Sequence, residues 1–275
     1  MADKISLTQA VRGNLLSLQR TSTSIDQTQT RLSTGLRVSS AIDDAAAFFT
    51  ARAFDNRASD LESLKSNIDL AISTIQAGID GIDSISDLVQ QAKGIASAAK
   101  ATGDTNERST LAVQFNELLS QVNSIANDST FNGLNLLQAT PDNLAVEFNE
   151  DNTSNLTITG LDVTTATSGI NIAVAANNFG LNANIDTALT AISSALTTLR
   201  SNASTLGSNN TILTTRLDFT KNLVNTLETG SGKLTLADLN EESANLLALQ
   251  TRQQLGLNSL ALASQSERAI LSLFG

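Results

Sequence analysis

Few side chains in this sequence could carry out chemistry. Its 275 residues include no His and no Cys, so the commonest general base and the usual zinc ligands are missing. The adjacent carboxylates Asp43 and Asp44 could act in acid-base catalysis or bind a cation. No nucleophile-base pair, phosphate-binding loop or metal-ligand spacing accompanies them. An enzyme is therefore the least favoured function, and we expect no catalytic residue, no cofactor and no metal.

The same two carboxylates fit the start of a helix. Ser40 and Asp43 have the spacing of a capping box, and both aspartates would place negative charge at the positive end of the helix dipole. From there to Lys100 the sequence has no proline. This predicts one helix that is much longer than is usual in globular domains.

Composition points to packed helices rather than to a ligand pocket. Apolar residues make up 41% of the chain, yet the aromatic residues are nine Phe, with no Trp or Tyr. The net charge of -10 opposes binding to nucleic acid or to anionic membranes. We find neither a run of apolar residues long enough to span a membrane nor a Sec-type signal peptide. We therefore expect no nucleic-acid and no membrane partner, and any export would use another route.

Apolar residues recur with the four-three rhythm of coiled coils. In the opening helix, expected to end near Gly35, the rhythm also passes through Ser22 and Gln29. Its apolar members are Val11, Leu15, Leu18, Ile25 and Leu32. Three further helices are predicted to form a shaft, and Asp104 is the expected N-cap of the shorter middle one. The seam of the shaft comprises Leu64, Ile68, Ile75, Ile82, Leu118, Val122, Leu189, Ile192, Leu196, Leu199, Leu213 and Leu217.

The closing helix has a broader apolar face. The stretch ETGSGK (228–233) is expected to interrupt the preceding helix, and Thr235 and Asp238 again have capping-box spacing. Several apolar residues then follow steps of eleven, which favour a nearly straight helix. Because one partner would not cover this face, we expect burial between subunits for Leu246, Leu249, Leu257, Leu260, Leu271 and Phe274.

Residues 139–183 differ in kind, being rich in Asn, Thr and Gly. The segments LAVEF and LTIT flank NEDNTSN and predict a β-hairpin, and INIAV (170–174) could form another strand.

The expected fold is mainly α, a long antiparallel coiled-coil rod with a small β-hairpin insert and with its N- and C-terminal helices paired at one end. Residues 1–36 plus 235–275 would form the terminal domain, residues 37–138 plus 184–234 the shaft, and residues 139–183 the insert.

A terminal pair with wide apolar faces cannot bury itself and indicates a subunit that assembles with copies of itself. The ends are also weakly complementary in charge, because the first 40 residues are net positive and the last 39 are net negative. Arg31 and Arg37 flank the turn after the opening helix. We expect them to pair with acidic groups of a neighbouring subunit.

Three segments carry a resemblance to bacterial flagellin. They are RLSTGLRVSSAIDDAA (31–46), STFNGLNLL (129–137) and ADLNEESANLLALQTRQQLGLNSLALASQSERAILSLF (237–274). Their order and their distances from the two ends are also similar to those of flagellins. Asp43, Asp44, Phe48 and Phe49 lie in or next to the first segment, within DDAAAFFTARAF, which most resembles the short flagellins of alphaproteobacteria.

The resemblance implies a structural subunit that polymerises into the flagellar filament, the helical propeller for swimming. It implies secretion without cleavage through the flagellar type III export apparatus, with a secretion chaperone, the filament cap and hook-junction proteins as partners besides copies of the chain itself. The terminal helices would line the filament core. Two other functions stay open, namely a hook-filament junction protein and a secreted coiled-coil adhesin.

Overall fold

The computed structural model describes the backbone of residues 9–274 and, in that range, every side chain except those of Ala10, Glu267 and 270–274. Five helices dominate the described chain, which confirms the mainly α prediction. They are α1 (Gln9–Thr34), α2 (Ala45–Ala101), α3 (Thr105–Asp128), α4 (Asn182–Thr235) and α5 (Leu239–Phe274). The chain divides into a terminal unit (Met1–Arg57 and Thr226–Gly275) and a central unit (Ala58–Asn225).

In the terminal unit, α1 and α5 pack side by side and antiparallel. Leu36, just after α1, forms a β-bridge with Leu236, just before α5. Farther along, Leu18 lies against Gly256, where an added Cβ would approach the Leu18 Cδ2 atom to 2.8 Å. Because residue numbers rise along one helix as they fall along the other, the predicted pairing of the opening and closing helices is confirmed.

The contact seam of α1 keeps every second predicted position and differs at the positions between them. Thr21 and Thr28 are buried with Ile25, whereas Ser22 and Gln29 are exposed. Both sets keep a seven-residue repeat, so the rhythm alone could not separate them. Threonine fits the seam because its hydroxyl can be satisfied within its own helix, as Thr21 Oγ1 is by the Ser17 carbonyl at 2.9 Å.

The helix starts follow the predicted acidic residues, with two corrections. Asp44 rather than Ser40 caps α2, because its side chain accepts from the Ala47 backbone N–H at 3.0 Å. Asp104 caps α3 as predicted, by accepting from the Asn106 N–H at 2.8 Å. Asp238 rather than Thr235 caps α5, because its side chain accepts from the backbone N–H of Asn240 at 2.9 Å and Thr235 is the last residue of α4.

The expected interruption at residues 228–233 is wrong, because α4 continues to Thr235. Glycine lowers helix propensity, but tertiary packing overrides that preference here. Ser231 is buried, and the Cα of Gly230 lies so near Phe54 that an added Cβ would come within 3.3 Å of its ring. The missing side chain lets the Phe54 ring pack directly against the helix.

In the central unit, α2, α3 and α4 share one hydrophobic core. Gly78 of α2 lies beside Leu206 of α4, and Lys100 at the end of α2 pairs with Asp186 near the start of α4, so these two helices are antiparallel. Leu64, Leu118 and Leu189 are half-buried. The remaining predicted seam residues are buried, namely Ile68, Ile75, Ile82, Val122, Ile192, Leu196, Leu199, Leu213 and Leu217.

Two small antiparallel hairpins follow α3. Strands β1 (Thr130–Phe131) and β2 (Leu134–Asn135) are joined by Asn132 and Gly133, whose φ angles of 49° and 79° suit a tight hairpin turn. The predicted hairpin is confirmed as β3 (Leu144–Glu147) paired with β4 (Asn155–Ile158). Just after β3, the Phe148 ring faces the guanidinium of Arg216 on α4, with the Arg216 Cζ 4.9 Å from the ring centre.

The segment 170–174 is not a strand, contrary to expectation. Ile170 and Ile172 are buried in alternation, as in a strand. However, Asn171 has a φ of 51°, and the backbone N–H groups of both isoleucines donate to loop carbonyls at Thr164 and Thr165. The alternation therefore reflects two apolar anchors of a loop that closes the core before α4.

Candidate functional site

Helix α5 carries a row of leucines along its length that are exposed to solvent. Each is between 48% and 70% exposed. They are Leu239, Leu247, Leu255, Leu257 and Leu262. Single exposed apolar residues are ordinary, but a row along one helix marks an interaction surface.

Helix α1 extends this apolar character. Leu15 is 42% exposed and Leu16 is also exposed, because the seam that faces α5 passes instead through Val11 and Leu18. Both helices of the pair therefore have one apolar side against each other and a second apolar side in solvent. We call the exposed leucines of α1 and α5 the outward face.

The predicted terminal interface residues divide between these two sides. Val11 and Ile25 are buried within the chain, and Leu15 and Leu257 belong to the outward face. Five further predicted residues are half-buried, namely Leu18, Leu32, Leu246, Leu249 and Leu260. Leu271 and Phe274 lie outside the residues whose side chains are described.

A charge pair and a contact to the backbone hold the two helices together where α1 ends and α5 begins. Arg31 Nη1 donates to Glu242 Oε1 at 2.9 Å, and the Glu242 side chain is only 10% exposed. Arg37 Nη2 donates to the Leu234 carbonyl at 2.8 Å. The predicted pairing of Arg31 with a neighbouring subunit is therefore wrong, since its acidic partner lies in its own chain. For Arg37, whose partner is a backbone carbonyl, pairing with a neighbouring subunit stays a prediction. Glu242 was not predicted from the sequence. The only indication of this ion pair there was the opposite net charge of the first 40 and the last 39 residues.

The turn between α1 and α2 is organised by Asp43. Its Oδ2 atom accepts from the backbone N–H and the hydroxyl of both Ser39 and Ser40, at 3.0 to 3.1 Å. The hydrogen bond from the Ser39 hydroxyl, with those from the Ser39 N–H and from Ser40, lowers the Asp43 pKa from its ordinary value of 3.8. The neighbouring Ile42 is 96% exposed, which sequence reasoning missed.

These contacts give the two carboxylates structural tasks. Asp43 holds the turn and Asp44 caps α2, so neither is left to face a reacting group. In the described part of the chain, no group of three or more His, Cys, Asp or Glu residues is placed to hold a metal ion. None of the described helices is long and apolar enough to cross a membrane.

Comparisons with known proteins match both ends of the chain. The family model for the bacterial flagellin N-terminal helical region matches residues 5–142, and that for the C-terminal helical region matches residues 189–274. Flagellin FljO of Caulobacter vibrioides is 35% identical, over 95% of this chain and 96% of the relative. A flagellin of Brucella melitensis is 31% identical, over 94% of this chain and 95% of the relative.

A solved structure was also found, the crystal structure of Bacillus cereus flagellin. It superimposes with a TM-score of 0.49 at 21% sequence identity, and the match covers 56% of this chain and 88% of that one.

Proposed function

This chain belongs to the bacterial flagellin family, and we propose that its copies join in the flagellar filament through the outward face of α1 and α5. As a flagellin, it is a structural subunit of that filament, the helical propeller for swimming. The observation that supports the proposed contact is the row of exposed leucines on a helix pair that already buries its other side.

Energetics favour covering this face with further copies. Fully burying one leucine is worth about 1.5–3 kcal/mol. The five leucines of the row on α5 are roughly half exposed or more, so covering them would release several kcal/mol per subunit, on the order of 5 kcal/mol. That gain must exceed the cost of ordering a subunit at the growing end.

We assign the terminal helices, residues 1–36 and 235–275, to the filament core. Residues 37–138 and 184–234 would form the surrounding shaft, with residues 139–183 as a small exposed insert. The subunit would be secreted through the type III export apparatus with a chaperone, and would meet the cap and hook-junction proteins outside the cell. We expect no catalytic activity, since Asp43 and Asp44 are engaged in the turn and the helix cap.

Seeded polymerisation tests the proposed contact. Leu15→Asp and Leu257→Asp each place a charge on the outward face, where the monomer tolerates it because both side chains are exposed. Burying an unpaired carboxylate in the filament core costs at least about 3 kcal/mol, so the critical concentration should rise more than about 100-fold. Negative-stain electron microscopy and sedimentation would measure it.

Val113→Asp is the matched control, because Val113 is a similarly exposed apolar side chain of α3 in the central unit. It should polymerise much more readily than the other two variants. Normal filaments from Leu15→Asp or Leu257→Asp would contradict burial of this face. Failure of the unaltered chain to elongate seeds would contradict propagation itself, and would favour a junction protein.

A further inference from the structure

The chain between β4 and α4 forms a strap across the core of the central unit. We use this name for residues 163–181, all of which are described and none of which lies in a strand or an α-helix. The strap residues Val163, Ile170, Ile172 and Phe179 are nevertheless buried in that core. Loops of this length without secondary structure are uncommon in compact domains, and many of them have a function.

Side chains from one side of α3 hold the strap through hydrogen bonds. Asn123 Oδ1 accepts from the Thr165 backbone N–H at 2.9 Å, and Asn116 Oδ1 accepts from the Ala175 backbone N–H at 2.8 Å. The two asparagines are seven residues apart, so they lie on the same side of the helix. Each such hydrogen bond contributes little net stability. The strap therefore depends on separate weak attachments, whereas the helices have continuous hydrogen-bonded backbones.

The end of the strap before α4 has a strained backbone. Asn177, Asn178 and Phe179 have φ angles of 46°, 49° and 59°, so three consecutive residues are left-handed. Residues other than glycine visit this region singly, because the Cβ atom crowds the following carbonyl oxygen. Asparagine is enriched there, whereas a bulky residue such as phenylalanine is an outlier. Closing the strap therefore costs backbone strain.

Burial of the Phe179 ring offsets that strain. Its centre lies 5.2 Å from that of the Phe115 ring of α3, at an interplanar angle of 65°, and both residues are fully buried. Strained backbone persists where the surrounding packing over-determines it, and such strain clusters in segments that switch conformation. Ring burial and backbone strain thus act in opposite directions within the same turn.

We infer that the strap is a conformational switch that opens as one unit while α2, α3 and α4 stay folded, and that the left-handed turn favours the open state. Opening relaxes the turn, withdraws Phe179 and uncovers the Phe115 ring. Local opening of this kind costs less free energy than global unfolding. The strap and the residues that hold it lie in the central unit, so this switch does not depend on the filament contact proposed above.

Native-state hydrogen exchange of the monomer, in urea below the unfolding transition, tests the switch. The backbone N–H groups that report on the strap are those of Val163, Ile170, Ile172 and Ala175, each of which donates a hydrogen bond. They should exchange at least about 100-fold faster than the slowest amides of α2, α3 and α4, with one shared and weak dependence on urea. Exchange as slow as that of the helices would overturn the inference, as would four unrelated urea dependences.

Substitutions of Asn178 test the role of the turn, because this side chain is exposed and a change there acts mainly through the backbone. Asn178→Gly should lower the opening constant about threefold, since glycine adopts a positive φ without strain. Asn178→Val should raise it at least about tenfold, since a β-branched residue is an outlier there. An opening constant for Asn178→Gly equal to that of the unaltered chain or of Asn178→Val would overturn the role of the turn.

Asn152→Val is the matched control for this pair. Asn152 is another exposed asparagine with a positive φ, of 54°, but it lies in the loop between β3 and β4. Because that loop keeps its structure when the strap opens, the opening constant of the strap should not change. A rise equal to that of Asn178→Val would mean that the hairpin and the strap open together, and would overturn the inference.

Ile68→Val separates opening of the strap from unfolding of the helices. Ile68 is a fully buried residue of α2. The substitution should accelerate exchange of the slowest helical amides about fivefold, and should leave exchange in the strap unchanged because α2 stays folded when the strap opens. Equal acceleration of both would show that the strap opens only with the helices. That result would overturn the inference and leave the proposed function standing, because seeded polymerisation tests the latter separately.

Discussion

Asn210 places a polar side chain in the core of the central unit, and the sequence offers no reason for it. It occupies a core position in the four-three rhythm of α4, one turn beyond the buried Leu206. Its Oδ1 atom is buried and accepts no hydrogen bond from the described residues. A buried acceptor without a donor costs stability, and a polar residue at such a position commonly fixes helix register instead.

We expect Asn210→Leu to stabilise the central unit. Removing the unsatisfied acceptor and adding apolar surface should raise the free energy of unfolding by about 1–2 kcal/mol, which corresponds to a rise in Tm of about 2–6 °C. Thermal unfolding followed by circular dichroism measures it. Ser208→Leu, at an exposed position nearby, should change Tm by less than about 1 °C. A lower Tm for Asn210→Leu would show that the amide has a structural role.

At the scale of elements, glycines in α2 have different tasks that spacing does not reveal. An added Cβ at Gly81 would collide with the Ser129 side chain and come within 2.7 Å of Leu137 Cδ1, at the place where the β1–β2 segment packs on the helix. Gly94 has no atom of another residue within 4 Å of the same position. Gly81 therefore permits close packing, whereas Gly94 only weakens the helix.

This contrast predicts opposite effects for the same substitution. Gly81→Ala should destabilise the central unit by about 1–2 kcal/mol, because overpacking outweighs the gain in helix propensity. Gly94→Ala should stabilise it by up to about 1 kcal/mol. Urea denaturation of the two variants gives both values. Equal effects would mean that the β1–β2 segment can move away from α2 without cost.

At the scale of the whole molecule, charge is divided unevenly between the two units. The central unit contains 17 acidic and 7 basic residues, whereas the terminal unit contains 10 of each. The entire net charge of -10 therefore belongs to the central unit. A neutral terminal unit suits close association, whereas central units of net charge -10 would repel one another if they were brought together.

Polymerisation should therefore depend on ionic strength. Raising the salt concentration from about 0.01 M to about 0.3 M shortens the screening length from about 30 Å to well below 10 Å and should lower the critical concentration several-fold. Sedimentation of seeded filaments measures this change. The triple variant Asp80→Asn/Asp83→Asn/Asp87→Asn removes three of these charges and should reduce the salt dependence. If the variant and the unaltered chain showed the same salt dependence, the repulsion would come from charges other than Asp80, Asp83 and Asp87.

The sequence alone determined the helical class, the amphipathic terminal helices, the hairpin at residues 144–158 and the flagellin resemblance. These features depend on local periodicity, on capping residues such as Asp104, or on long motifs near both ends. Asp44 could also be recognised as a helix-start residue, because capping is a local property.

Only the tertiary structure decided which side of each helix meets its partner. In α1 a repeat through Thr21 and Thr28 competes with one through Ser22 and Gln29, and packing against α5 selects the first. Likewise, residues 228–233 are helical despite their two glycines, and there the Phe54 ring packs against Gly230. Local pattern sets the spacing of apolar residues, but the contacts that choose between equal spacings come from residues distant in the chain.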